Sequence, residues 1–310
     1  MLEIRELPVP EVRDGWSLVR VRAAGLNRAE LRTRQGHSPG VRFPRVLGIE
    51  CVGTVAASTD PRLPDGATVA AVMGEMGRAF DGGYAEYALL PNALLMPVTT
   101  TLPWDVLGAL PETYLTAQGS LDALGVGPGS GGRLLIRGGT SSVGMAAASI
   151  ASGYGVETAA TTRRPGKRDA LAAAGADHVL LDDGGSLAAG VRAVWPEGPD
   201  HVLDLVGAAT TVDSLRLVRR GGTVCTSGSL RGWAIPDFQP VAMIPSGTRL
   251  TSFHSDDLKG GTAVLQRIVG EVEAGAYRPN IDRVFALDDL AAAHHYMEDD
   301  QAAGKLVMVP

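Results

Sequence analysis

The sequence predicts an α/β protein in two parts: a β-rich, barrel-like unit and a doubly wound unit built on a parallel sheet. Three observations carry this. The chain has 310 residues, about twice the common domain length of roughly 150. Residues 1–111 are cut by Pro and Gly into short strand-like runs, the pattern of a small barrel. From 112 onward, strands alternate with short helices across brief connections, which places helices on both faces of a parallel sheet.

In the first part, WSLVRVRAAGL (16–26) alternates apolar and polar positions. RVLGIECVGTVAAS (45–58), GATVAAVMG (66–74) and GGYAEYALLP (82–91) read as further strands, with Tyr84 and Tyr87 packing in the last. A helix follows at 112–125, ended by Gly125. Then strand and helix alternate: 133–139, 143–155, 156–162, 167–177, 178–183, 186–196, 200–207, 210–222, 223–229 and the strand 248–254. An amphipathic helix at 262–277, a strand at 281–287, a helix at 290–300 and a strand at 304–310 do not extend that sheet simply, so they are expected to rejoin the first part.

Composition narrows the functional classes. Apolar residues are 45% and charged residues 20%, an ordinary globular balance that excludes a disordered chain. The net charge is −6, so no global positive field draws in nucleic acid or anionic lipid, and any phosphate site must be local. Neither a nucleic-acid nor a membrane partner is expected. Cys51 and Cys225 are the only two cysteines, too few for a disulfide framework or a zinc ribbon. They read as buried thiols in a reducing compartment. No apolar run is long enough to span a bilayer, and the acidic opening MLEIRELPVPEVRDG lacks a signal-peptide pattern. A cytoplasmic location is the expectation.

The strongest chemical signal is LLIRGGTSSVGMAAA. A buried strand ends at Arg137, the turn holds Gly138, Gly139, Thr140, Ser141 and Ser142, and a small-residue helix starts near Val143–Gly144. Turn N–H groups and the positive helix end suit a pyrophosphate, and missing side chains let it approach. The spacing departs from G-x-G-x-x-G at Ser141, and a tight structural turn is the competing reading. At the end of the next strand stand Thr161, Thr162, Arg163 and Arg164, with Lys167 close behind. An NAD site needs an Asp or Glu there for the ribose hydroxyl, and the nearest acid, Glu157, comes too early. Cations and a hydroxyl suit a 2′-phosphate, so NADPH is expected over NADH. A solvated basic helix start is the alternative, although cations there oppose the helix dipole.

Taken together, RAAGLNRAELRTRQG, FPRVLGIECVGTV, ALPETYLTAQGSL, RGGTSSVG, AAGADHVLLD, RRGGTVCTSG and the closing IDRVFALDDLAAAHHYMEDDQAAGKLVMV resemble the zinc-free quinone oxidoreductase branch of the medium-chain dehydrogenase/reductase superfamily. The resemblance implies a GroES-like catalytic domain from 1–111 and 255–310 around a Rossmann NADPH-binding domain at 112–254. It also implies NADPH in the cleft and a homodimer through the Rossmann sheet edge, with RLTSFH as the pairing strand. The family usually opens with one further strand, so an exposed barrel edge is expected here.

Zinc-dependent relatives carry a cysteine where this chain has Asn27 and a Gly-His-Glu where it has Gly48-Ile49-Glu50. Glu50 with His37 or Cys51 is the remaining conceivable donor set, and no metal is expected. Quinone reductases often have a tyrosine where this chain has Arg32. Charge developing on a reduced carbonyl must therefore meet other donors, and the candidates are Asn27, Arg32 and Tyr84, with Tyr114 more distant. By resemblance, Asn27 and Thr116 lie by the nicotinamide, Gly228 and Ser229 border it, and Phe253 and His254 do the same. Bland readings stand beside these. Asn27 could bond backbone in a turn, and Arg28, Arg32 and Arg34 could form a solvated face. Tyr84 could be sheet packing, His294 and His295 surface residues, and Lys305 structural rather than a proton donor. The expected function is NADPH-dependent reduction of a quinone or another α,β-unsaturated carbonyl. An enoyl-thioester or enone double-bond reductase and a nucleotide-binding regulatory protein with little turnover are the alternatives.

Overall fold

A computed structural model describes residues 2–182, 187–257 and 260–310. Along the chain run β1 (Trp16–Leu26), α1 (Arg28–Arg34), β2 (Glu50–Ser58), β3 (Thr68–Val72), β4 (Tyr87–Pro91), β5 (Met96–Pro97), α2 (Trp104–Gly108) and α3 (Pro111–Leu124). There follow β6 (Arg133–Arg137), α4 (Ser142–Gly153), β7 (Glu157–Thr162), α5 (Arg168–Ala173), β8 (His178–Leu181), α6 (Leu187–Val194), β9 (His201–Asp204), α7 (Thr211–Leu217) and β10 (Thr223–Thr226). The chain continues with α8 (Pro240–Met243), β11 (Arg249–Ser252), α9 (Gly261–Glu273), β12 (Ile281–Ala286), α10 (Leu290–Glu298) and β13 (Lys305–Val309). The expected ends at Asp183 and Ser186 lie outside the described residues.

Two compact units form, one from 1–115, 259–275 and 281–310, the other from 116–258 and 276–280. The bounds differ from those expected. The first junction falls inside α3, four residues after 111, and 276–280 return to the second unit. That return has a physical cause within the second unit: the Arg278 N–H donates to Ser149 Oγ on α4 at 2.7 Å, and Tyr277 stacks edge-on against Tyr154.

In the first unit the strand order is β12-β13-β1-β2-β3-β5, with β4 also on β1. β1 is therefore central, antiparallel to β2, β4 and β13. Its alternation survives only around Arg20 and Arg22, which are exposed, because Ala23–Leu26 are buried on both faces. Small residues permit this: a Cβ on Gly108 of α2 would come within 2.6 Å of the Ala23 Cβ. The core beneath includes Val19, Val21, Leu31, Val55, Leu90, Leu306 and Met308. The expected strand at 82–91 begins only at Tyr87. Gly82, Gly83 and Tyr84 instead donate their N–H groups to the carbonyls of Val46, Gly48 and Leu47. Tyr84 is thus buried in a bend before β4, not in the strand itself.

The second unit holds a six-stranded, wholly parallel sheet in the order β11-β10-β9-β6-β7-β8. Numbered from β6, this is the 3-2-1-4-5-6 doubly wound order, whose ligand crevice opens at the carboxyl ends of the strands. Leu134, Leu135 and Ile136 of β6 and Ala159 and Ala160 of β7 are fully buried, as strands covered on both faces require. The expected helix at 167–177 begins with a tight turn at Pro165–Lys167 and closes at Ala173. Among the described residues, no helix is long and apolar enough to cross a membrane.

Candidate functional site

The turn after β6 has the shape the sequence predicted. Gly138 adopts φ 76°, a left-handed conformation that favours glycine. Ser141 is the N-cap of α4: its hydroxyl donates to Gly138 O at 2.7 Å and accepts from Gly144 N at 3.1 Å. A Cβ on Gly144 would lie 2.7 Å from the carbonyl oxygens of both Gly138 and Gly139. The turn is thus held by its own bonds, and α4 starts flush against it. Thr140, Ser142 and Val143 are half-buried around this cradle.

At the end of β7, Thr162 is buried and its hydroxyl bonds the backbone N–H and carbonyl of Arg164. The hydroxyl expected to face a ligand therefore shapes the turn that presents Arg163 and Arg164, both exposed, while Lys167 is half-buried. The acid of this strand, Glu157, sits at its other end, 3.0 Å from His178 Nε2.

Thr116 is buried on α3, its carbonyl accepting from Ser120 Oγ at 2.7 Å. Gly228 packs so closely on the Leu205 backbone that a Cβ would overlap it, and Ser229 follows half-buried. The Phe253 ring lies over Gly119 of α3, and exposed His254 pairs with Asp256 at 3.3 Å.

One group here was missed from the sequence. Arg137, 3% exposed, donates to Asp182 Oδ2 at 2.8 Å and Asp213 Oδ2 at 2.6 Å. It ties the end of β6, beside the glycine turn, to the segment after β8 and to α7. Its only signal was a charge closing an apolar run.

In the first unit a buried polar cluster forms where three strand ends meet. Gly25 near the end of β1 pairs with Val307 of β13, and Ala23 pairs with Val52 of β2. Asn27 just past β1, Glu50 opening β2 and Lys305 opening β13 therefore converge. The Lys305 ammonium donates to Glu50 Oε1 and Asn27 Oδ1, both at 2.7 Å. Asn27 Nδ2 donates to Glu50 Oε1 at 2.9 Å and Glu30 Oε1 at 3.3 Å. Glu50 also accepts the Glu112 N–H at 2.9 Å.

Glu30 accepts the N–H groups of Asn27 at 2.9 Å and Ile49 at 3.0 Å. Asn27 with Glu30 three residues on matches a capping-box spacing, a sequence signal not used for the site. Burial pushes the Glu30 carboxyl up to about 7, against the pull of the Ile49 N–H and Lys305. Burial, then the Glu30 and Glu50 charges, hold the Tyr84 phenol well above its ordinary value. Arg32 is half-buried on α1, its pKa lowered by burial and by Arg28.

Several bland readings fall. Arg28 and Arg34 do not form a solvated face: they pair with Asp300 and Glu298 and pin α1 to the end of α10. His294 is not a surface residue. It is 0% exposed, edge-on to Tyr84, and among the described residues neither ring nitrogen has a hydrogen-bond partner. Burial, then Arg34, pulls it down to about 4. The backbone reading of Asn27 holds in part: its Nδ2 donates to the Gly25 carbonyl at 3.4 Å as well as to the carboxylates of Glu30 and Glu50. Cys51 and Cys225 are buried as expected, and burial, then Glu50, pushes Cys51 up to about 12.

A catalytic zinc takes three His, Cys or carboxylate ligands. Here Ile49 offers no donor, Glu50 is held by Lys305, and among the described residues no three His, Cys, Asp or Glu side chains converge on a metal position. The residues present do not fit that ion.

A barrel-like unit paired with a doubly wound unit that carries a glycine turn defines a NAD(P)-binding oxidoreductase fold. Two family models match in succession, "Alcohol dehydrogenase GroES-like domain" over 13–100 and "Zinc-binding dehydrogenase" over 174–308. The chain belongs to the medium-chain dehydrogenase/reductase superfamily. Its first unit is the GroES-like domain and its second the Rossmann-like one. It is 27% identical to a Bacillus subtilis protein named as a quinone oxidoreductase, YhfP, over 99% of this chain and 94% of that one. It is 31% identical to the phenolphthiocerol synthesis polyketide synthase Pks15/1 of Mycobacterium bovis, over 97% of this chain but 14% of that protein. Among solved structures, an NAD-dependent alcohol dehydrogenase superposes with TM-score 0.87 at 27% identity, covering 99% and 95% of the two chains. Mycobacterial Rv1454c complexed with NADPH superposes with TM-score 0.86 at 25% identity, covering 99% and 95%.

Proposed function

We propose that the chain is an NADPH-dependent, zinc-independent reductase of quinones or other α,β-unsaturated carbonyls, working in the cytoplasm. The observation that carries the coenzyme choice is the end of β7, where Thr162 bonds the backbone of Arg164 and shapes a turn bearing Arg163, Arg164 and Lys167. The turn itself, 161–167, carries no Asp or Glu for the ribose diol, and guanidinium groups match a phosphate through paired charge-assisted hydrogen bonds. The glycine cradle and the capped start of α4 fit the pyrophosphate. When bound, NADPH supplies the hydride, and the protein contributes orientation and charge. Gly138, Gly139 and the first N–H groups of α4 hold the pyrophosphate. Arg163, Arg164 and Lys167 hold the additional phosphate. The Asn27 amide faces inward, and half-buried Arg32 on α1 is the cation assigned to charge developing on a carbonyl oxygen.

The test is a binding titration of NADPH against NADH, followed by turnover on a panel of quinones and enones. Arg163→Ala and Lys167→Ala should each weaken NADPH binding by about tenfold, with little effect on NADH. Unchanged preference in both would remove the phosphate assignment. A second reading, reduction of an enoyl thioester, is favoured by the likeness to a polyketide synthase. A crotonyl thioester turned over faster than every quinone would select it, and coenzyme binding without turnover would select a regulatory role. β11 is an edge strand of the parallel sheet, and we propose that it pairs with its copy in a homodimer. Sedimentation as a monomer would overturn that.

A further inference from the structure

The Lys305–Glu50 pair is 2% and 0% exposed. Buried ion pairs contribute little stability over well-packed apolar side chains, so its presence asks for another role. The bonds around Asn27 supply one. The amide has two orientations related by a half-turn. In the observed one its oxygen meets the ammonium and its NH2 meets two carboxylates. In the reverse one, NH2 would face ammonium and oxygen would face carboxylates, so every one of those contacts would turn repulsive. Gly25 makes the arrangement possible, because a Cβ there would overlap Glu50 Oε1 and Lys305 Cε. Of Asn27, Glu30, Glu50 and Lys305, Asn27 alone is partly exposed.

We propose that Lys305 is a positioning residue for the hydride transfer put forward above. Locked to Glu50, it fixes the orientation of Asn27 and with it the start of α1, whose last turn carries Arg32. The inference rests on that functional reading.

The test compares the wild type with Lys305→Met combined with Glu50→Gln, a neutral pair of similar volume that removes both charges of the ion pair and leaves the Glu30 carboxyl to be held neutral by its burial. The double variant should melt near the wild type and bind NADPH as well. Its kcat with a quinone or enone acceptor should fall roughly tenfold to a hundredfold, the scale of a small misplacement of reacting groups. Lys305→Ala should regain part of its kcat in propylammonium, which restores the missing cation. A double variant with wild-type kcat and wild-type melting would show the pair to be purely structural and overturn the proposal. If Lys305→Ala fails to fold, the double variant still decides.

A readout independent of turnover separates this from the parent reading. The side-chain NH2 signals of Asn27, identified by their loss in Asn27→Asp, should exchange slowly with solvent in the wild type and rapidly in the double variant. Equal protection in both would overturn the orientation role even if the wild type reduced no acceptor tested.

Discussion

His294 and Glu30 set opposite pH dependences on folding, and each can be unmasked. The folded pKa of His294 falls from 6.5 to about 4, so between those values the unfolded chain binds more protons and stability rises with pH. The folded pKa of Glu30 rises from 4.5 to about 7, so between those values the folded chain binds more protons and stability falls as pH rises. From about pH 5 to about pH 7.5, His294 adds about 2 kcal/mol and Glu30 removes about 2 kcal/mol. The wild-type contributions nearly cancel. His294→Leu should therefore lose about 2 kcal/mol across that window, and Glu30→Gln should gain about as much. His294→Leu also deletes two buried nitrogens without partners, which should raise stability near pH 7.5 by about 1–3 kcal/mol. Urea denaturation followed by tryptophan fluorescence, with Trp195→Phe and Trp233→Phe in every variant so that Trp16 and Trp104 of the first unit report, measures each slope. A His294→Leu profile as level as that of the wild type would refute the assignment of that histidine as a buried neutral ring.

Three further outcomes follow from the geometry. Gly25→Ala forces Glu50 and Lys305 apart and should cost about 3–5 kcal/mol; in the neutral Lys305→Met, Glu50→Gln background the cost should shrink, as a thermodynamic cycle by denaturant titration would show. Gly144→Ala sets a Cβ 2.7 Å from two turn carbonyls and should weaken NADPH binding at least tenfold in a fluorescence titration, because the cradle must open. Arg137→Met leaves Asp182 and Asp213 without their shared cation; denaturation midpoints should fall, and more for Arg137→Met than for a double variant that also carries Asp182→Asn.

The alternating part of the chain was legible because parallel sheets covered on both faces write their strands as continuous apolar runs. Leu134–Ile136 and the glycine turn after them are a local statement, and the fold repeats it. The return of 276–280 was not legible: it depends on Arg278 meeting Ser149, 129 residues away. The buried cluster was hidden for the same reason. Glu50 and Lys305 lie 255 residues apart and meet only because β1 stands between β2 and β13. His294 misled because its helix pattern allowed either face, and contact with Tyr84 decides it. Thr162 shows the finer limit: sequence placed the hydroxyl at the right strand end, but its short reach to the Arg164 backbone settled what it bonds.

The strand order of the first unit bears on biosynthesis. β1 emerges from the ribosome early, yet its partner β13 is made after the whole parallel sheet has been synthesised. Until then, two acidic side chains destined for the interior have no counter-cation, and the nascent half-barrel presents an open edge. The nucleotide-type unit, drawn mostly from one continuous stretch, is free to close first. Chaperone demand during translation should therefore fall on the amino-terminal segment, the part of the molecule that waits longest for its last strand.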